Sequence, residues 1–122
     1  MDVFEAIRTR RSIRTFVPAP IRTDDITRIM QAARLAPSAG NLQAYEMVEV
    51  TGDALVALAD AAPGHGALVE APAAIVFCAN PGRSAACYGD RGATLFAIQD
   101  ATIACAYAQL AATALGLASL WI

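Results

Sequence analysis

Apolar positions along this chain follow a helical period in some stretches and run unbroken in others. Val3, Phe4 and Ile7 share one helical face, and Asp2 with Glu5 resembles a capping box, so a short first helix is expected to end near Arg8. Ile26, Ile29, Met30 and Ala33 repeat at i, i+3, i+4, i+7, which predicts a second helix capped by Thr23 or Asp24 and stopped by Pro37. Glu46 to Thr51 reads as a strand. Gly52-Asp53 turns into a third helix with Leu55, Leu58, Ala59 and Ala62 on its buried side. After a Pro/Gly-rich loop from Pro63 to Gly66, the apolar run Ala73 to Ala79 predicts a central strand. A loop is expected over Asn80 to Gly92, then a long helix from about Ala93 to Leu115, apolar nearly all round, with Gly116 as its stop. Leu117 to Ile122 begins another strand. The order α, α, β, α, β, α, β predicts one α+β domain over residues 1–122, without repeats or a linker.

Composition sharpens this picture. Of 122 residues, 57% are hydrophobic and 16% charged, against about 45–50% and about 25% in typical soluble domains. That is more apolar surface than one small core readily hides, and a subunit interface explains it better than an Ala-rich core alone. The uncharged stretch from Ala101 to Ile122 is long enough to cross a bilayer. Its many Ala residues, Gln109, its Thr residues and the missing C-terminal basic flank instead favour a buried helix followed by a strand, with no membrane role. A formal net charge of -2 argues against nucleic-acid binding. The three cysteines, Cys78, Cys87 and Cys105, match no metal or redox spacing. Cys78 and Cys105 are expected as buried core thiols. With no signal peptide recognisable at the N-terminus, a reducing cytoplasm is expected.

Two constellations could carry chemistry. All nine basic residues are Arg, and Arg8, Arg10, Arg11 and Arg14 crowd into seven positions. Guanidinium groups meet phosphate oxygens bidentately and Ser12 adds a hydroxyl donor, so the stretch suits a small anion. A solvated cationic turn is the competing reading. The second is the loop Pro37-Ser38-Ala39-Gly40-Asn41-Leu42-Gln43, whose small residues let backbone approach a flat ring while Ser38, Asn41 and Gln43 offer uncharged donors and acceptors. An ordinary helix-terminating turn would have a similar composition. His65 reads as a solvated loop residue, and Asp90-Arg91 as a local ion pair or cap before the long helix, or a border of a substrate pocket. No Ser–His–Asp, metal-ligand or Walker pattern is present.

The segments RRSIRTF, APSAGNLQ and YGDRGATLFAIQDATIACAYAQLAATALGLASLWI, in this order and spacing, resemble the FMN-dependent nitroreductase family over essentially the whole chain. The resemblance implies an α+β fold with helices around a mostly antiparallel sheet, and a homodimer with two FMN molecules at its interface. It implies ping-pong transfer of hydride from NAD(P)H to small-molecule acceptors such as nitroaromatics or quinones. Arg10, Arg11, Ser12 and Arg14 would then hold the phosphate, ribityl chain and pyrimidine edge. Pro37, Ser38, Ala39, Asn41 and Gln43 would line the ring, some from the partner subunit, and the helix around Gln99 to Leu115 would be the dimer helix. Two departures stand out. Ala44-Tyr45 replaces the family's usual Pro and Trp. The sequence also stops at Trp121-Ile122, where family members enter a further flavin-contacting loop, a last helix and strand and an embracing arm. An N-terminal portion of the usual site is therefore expected. Beside the enzyme stand two alternatives: a non-catalytic flavin-binding or dimerisation module, and a piece of a longer nitroreductase.

Overall fold

Helix α1 spans Val3–Thr9, where the Asp2 carboxylate accepts the Glu5 N–H at 2.9 Å, as the capping pattern predicts. The apolar face expected on it does not pack. Only Ala6 is buried, while Val3, Phe4 and Ile7 are exposed because no element of the chain lies over them. A computed structural model describes residues 1–122. In it α2 covers Thr23–Arg34 and buries Ile26, Ile29 and Ala33. Neither Thr23 nor Asp24 caps it. Thr23 is already helical, Arg22 holds the cap position without a side-chain acceptor, and Asp24 and Asp25 suit the first turn through the helix dipole instead.

Strand β1 (Tyr45–Val50) pairs antiparallel with β2 (Ala74–Ala79), in register from Tyr45 opposite Ala79 to Val50 opposite Ala74. The α+β class with an antiparallel sheet is thus as expected, but β2 is not central. It pairs with β1 alone, its residues are half-buried, and Cys78 is exposed rather than a core thiol. Cys105 is half-buried. Between the strands lie α3 (Asp53–Ala61), which buries Leu55, and α4 (Ala67–Glu70), a single turn absent from the predicted elements.

The predicted loop after β2 is a helix. α5 spans Pro81–Arg91, started by the Asn80 side chain, which accepts the Arg83 N–H at 3.1 Å, and by Pro81 in the first turn. It breaks at Gly89 (φ 59°, ψ −143°) and continues through a π turn, Gly92–Phe96, into α6, Ala97–Ala114. Gly92 has no room for a side chain, since a Cβ there would lie 2.5 Å from the Ser84 carbonyl oxygen. α6 is not buried all round. One row, Ala97, Ala101, Ala104, Ala108 and Ala112, is buried together with Asp100, whereas Ile98 and Tyr107 are exposed. The small Ala side chains let α2 and the sheet come close, and the core gathers there from Ile29, Ala33, Ala36 and Tyr45. By length and composition the helical run Pro81–Ala114 is apolar enough to cross a membrane. Its Ala row is nevertheless occupied by α2 and the sheet, the position of a core helix.

α6 ends as its sequence predicts. Gly116 takes φ 76°, and the N–H groups of Gly116 and Leu117 donate back to Thr113 and Ala112 at 3.0 and 2.9 Å. The strand expected over Leu117 to Ile122 is reduced to one parallel bridge between Ser12 and Ser119, with the Ile13 N–H donating to the Ser119 carbonyl at 3.0 Å.

Candidate functional site

The Arg10–Arg14 stretch leaves α1 extended and lies along the tail that follows α6, held by the Ser12–Ser119 bridge. Extended backbone alternates its side chains, which puts Arg10, Ser12 and Arg14 on one side of the stretch and Arg11 on the other. Arg10 and Arg14 form no ion pair. The chain's ion pairs are Arg22–Asp24, Arg28–Asp25 and Arg83–Glu46. Arg11 is partly used, since its Nη1 donates to the Arg8 and Arg10 carbonyls, both at 2.9 Å. The exposed Ser12 hydroxyl makes no hydrogen bond within the chain.

The Pro37–Gln43 loop begins where α2 stops and closes on itself. Ser38 Oγ accepts the Gln43 N–H at 3.0 Å, and the Ser38 carbonyl accepts the Asn41 N–H at 3.0 Å. Three of its residues are left-handed: Gly40 (φ 59°), Asn41 (φ 54°) and Gln43 (φ 47°). A left-handed non-glycine residue costs on the order of 1–2 kcal/mol, so the surroundings must hold this shape. A Cβ at Gly40 would also lie 2.7 Å from the Tyr88 hydroxyl, which leans over the loop from α5. Tyr88 meets Phe96 edge to face at 5.1 Å, and the Arg91 guanidinium sits 5.6 Å from the Phe96 ring centre. The ion pair or cap expected from Asp90-Arg91 is therefore not formed: Arg91 turns to an aromatic face, and the Asp90 carbonyl accepts the Thr94 hydroxyl at 2.7 Å.

The strongest restraint on the loop comes from Asp100, 2% exposed, on α6. Its Oδ1 accepts the Ala39 N–H at 3.1 Å and its Oδ2 the Ala44 N–H at 3.2 Å, so one carboxylate grips both ends of the loop. Arg83 adds a tie from α5, donating to the Gln43 and Tyr45 carbonyls at 2.7 and 3.3 Å and pairing with Glu46. The Gln43 carboxamide, expected to face a ring, gives its Nε2 to the Arg34 carbonyl at 2.7 Å and leaves its oxygen without a partner in the chain. What the loop leaves unused are the backbone N–H groups of Ser38 and Gly40, which find no acceptor in the chain, and the exposed Asn41 carboxamide. Beneath the loop, burial pushes the Tyr45 hydroxyl above its ordinary range, and the Asp100 carboxylate adds to that rise. Burial raises the Cys105 thiol in the same sense.

No hydrogen bond or ion pair joins the basic stretch to the loop. They meet through α6. Asp100 holds the loop, and nine residues on, Gln109 Nε2 lies 3.5 Å from Ser119 Oγ, beside the tail that pairs with Ser12. Nine helical residues span roughly 13–14 Å. A cleft of about 860 Å³, mostly apolar, lies elsewhere: it runs between Phe16–Ile21, β2, α6 and the tail, and none of the nine candidate residues lines it. Asp100, Arg83 and Tyr88 had not been identified from the sequence. For Asp100 a signal existed, since it is the only charge between Ala93 and Leu115, and a charge in such a helix needs partners.

A protein of Archaeoglobus fulgidus that carries the provisional name NADH dehydrogenase/NAD(P)H nitroreductase is 37% identical over 122 residues, covering 99% of this chain and 67% of its own length. A nitroreductase family protein from Clostridium novyi superposes with a TM-score of 0.85 at 30% identity, covering all of this chain and 69% of that one. An FMN-dependent nitroreductase from Clostridium difficile superposes with a TM-score of 0.77 at 31% identity, over 98% of this chain and 65% of that one. The chain thus spans about two thirds of the length of these relatives. The model of the nitroreductase family matches residues 7–122, which takes in both constellations and every element but the first turn, and the chain belongs to that family.

Proposed function

We propose that this chain holds FMN between the Arg10–Arg14 stretch and the Pro37–Gln43 loop, as part of an NAD(P)H-dependent oxidoreductase acting on nitroaromatic, quinone or similar acceptors. The observation that carries the reading is that two donor sets, each left unused by the chain, are tied to one helix within a nitroreductase fold. Their chemistry fits the cofactor. The unpaired Arg10 and Arg14 guanidinium groups and the Ser12 hydroxyl suit a phosphate and a ribityl chain. Arg11, half engaged with backbone carbonyls, contributes charge more than contact. The Ser38 and Gly40 N–H groups, the Asn41 carboxamide and the Gln43 Oε1 suit the uncharged donors and acceptors on a flavin ring edge. Pro37 and Ala39 supply low, flat walls.

When bound, FMN supplies the two-electron chemistry, accepting hydride from NAD(P)H and reducing the acceptor in a ping-pong cycle. The chain's own part is to bind, orient and exclude water. Arg10 and Arg14 fix one end, the gripped loop fixes the other, and Tyr88 and Phe96 cover the loop with apolar surface. No side chain is assigned as acid or base, since solvent can supply the protons. A homodimer in which loop residues reach the partner's cofactor completes the proposal. The free thiols at Cys78, Cys87 and Cys105 suit a reducing cytoplasm.

Titration with FMN and with riboflavin tests the reading. Arg10→Ala or Arg14→Ala is expected to weaken FMN about 10- to 100-fold and riboflavin little, because only FMN carries the phosphate. Equal losses would move these residues off the phosphate. Flavin uptake without NAD(P)H oxidation would leave a flavin-binding module in place of an enzyme.

A further inference from the structure

The geometry points to Asp100 as a positioning residue that sets the ring-facing loop for flavin, an inference that rests on the function proposed above. Asp100 lies too deep to touch a ligand, at 2% exposure within the Ala row of α6. Both of its oxygens are spent on backbone N–H groups, Ala39 before the left-handed turn and Ala44 after it. Between these two points lie Gly40, Asn41 and Gln43, all at positive φ. A loop of this shape relaxes toward ordinary backbone angles unless its ends are fixed. Fixing Ala39 and Ala44 determines where the unused N–H groups of Ser38 and Gly40 and the Asn41 carboxamide are presented.

Only a carboxylate meets this arrangement. It offers two acceptors and no donor, and the loop turns two donors toward it. An amide at position 100 would satisfy one N–H and set its own NH₂ against the other. The remaining supports act at one end or within the turn. Ser38 Oγ closes the turn internally, and Arg83 holds the Gln43 and Tyr45 carbonyls at its exit. Asp100 alone joins the turn to the long helix at both ends, and so to the element that also carries the tail beside Ser12.

The test uses wild type, Asp100→Asn and, as a control for lost stability, Ala104→Gly, which weakens the same buried row without touching a loop hydrogen bond. All are measured well below their melting temperatures. In flavin-free protein, amide exchange is expected to quicken at least about tenfold in Asp100→Asn at whichever of Ala39 and Ala44 the new NH₂ group faces, as that freed group opens. FMN and riboflavin affinities should both fall, by the same factor of about 10 to 100, because the fault lies on the ring side. This pattern separates Asp100 from Arg10 and Arg14, whose loss affects FMN alone. Ala104→Gly should lower the melting temperature and leave both affinities and both amides unchanged. A second variant, Asp100→Ser, keeps one acceptor oxygen in less volume and should give the same readings if Asp100→Asn folds poorly. Unchanged exchange at Ala39 and Ala44 would overturn the grip. Faster exchange with unchanged flavin affinities would overturn the positioning role. A wild type that takes up neither flavin would overturn the functional reading itself, an outcome distinct from wild type and Asp100→Asn binding flavin equally well.

Discussion

Tyr45, in the core, and the half-buried Cys105 carry ionisable groups that burial keeps protonated beyond their usual range. The consequence for stability follows from linkage. Below the unfolded-state value of 10.0 for Tyr45 both states hold the proton, and its contribution is complete. As pH rises past that value the unfolded chain releases its proton first, so unfolding gains free energy until the folded state titrates as well. Cys105 begins the same loss from its ordinary 9.0. Stability is therefore expected to fall on the alkaline side, from about pH 9 upward. Tyr45→Phe should flatten the portion above pH 10 at small cost near neutrality, because the hydroxyl donates only one long bond, 3.4 Å, to the Ala33 carbonyl. Urea unfolding at stepped pH measures this. An alkaline slope identical in Tyr45→Phe and wild type would contradict it.

Elements were legible where local pattern and tertiary packing agree, and illegible where they part. α2 is legible in its spacing and α6 in its long apolar run, and their buried rows are the ones that meet. α1 failed in its face, not its existence: Val3, Phe4 and Ile7 have the right period, but period cannot say that a partner is present. β2 was misjudged as central because an unbroken apolar run signals cover on both faces, whereas one edge of this strand is open. α5 was lost to its Gly and Pro content, although Asn80 followed by Pro81 was itself a start signal. That signal yields a prediction. Asn80→Ala removes the acceptor for the Arg83 N–H and should cost about 1 kcal/mol. Arg83 is thereby loosened from the Gln43 and Tyr45 carbonyls, so the loss should come with faster amide exchange around Gln43. Denaturant unfolding with an unchanged midpoint would show that the cap carries no weight. The candidate site was legible in its residue types, because Arg-rich and small-amide segments advertise ligand chemistry. Asp100 was legible only as a lone charge in its helix, and its role was not, because that role is a pair of backbone contacts 56 and 61 positions away in sequence.

At the scale of the molecule, the surplus apolar composition becomes an area. A compact monomer of this mass exposes roughly 6,200 Å², whereas the chain exposes 7375 Å² with only 17 of its 122 residues buried. The excess, roughly 1,100 Å², exceeds the roughly 800 Å² that each partner contributes to a standard interface. Large apolar side chains supply much of it, among them Phe4 and Ile7 on α1, Leu35 after α2, and Ile98 and Tyr107 on α6. Of these, the outward residues of α6 lie on the helix that also grips the loop, so an interface there would bring a second copy against the site. A homodimer is therefore expected, and light scattering at micromolar concentration should read twice the chain's mass. In a two-fold interface every substitution counts twice. Tyr107→Glu would remove a large apolar contact from each side, worth about 1.5–3 kcal/mol apiece, and place two carboxylates in an apolar seam. It should weaken association at least about a hundredfold while leaving helix content by circular dichroism unchanged. If flavin is shared between subunits, its uptake should become steeply dependent on protein concentration in Tyr107→Glu and not in wild type. A wild-type chain that stays monomeric and soluble at these concentrations would refute the assignment, and the exposed face of α6 would then need another occupant.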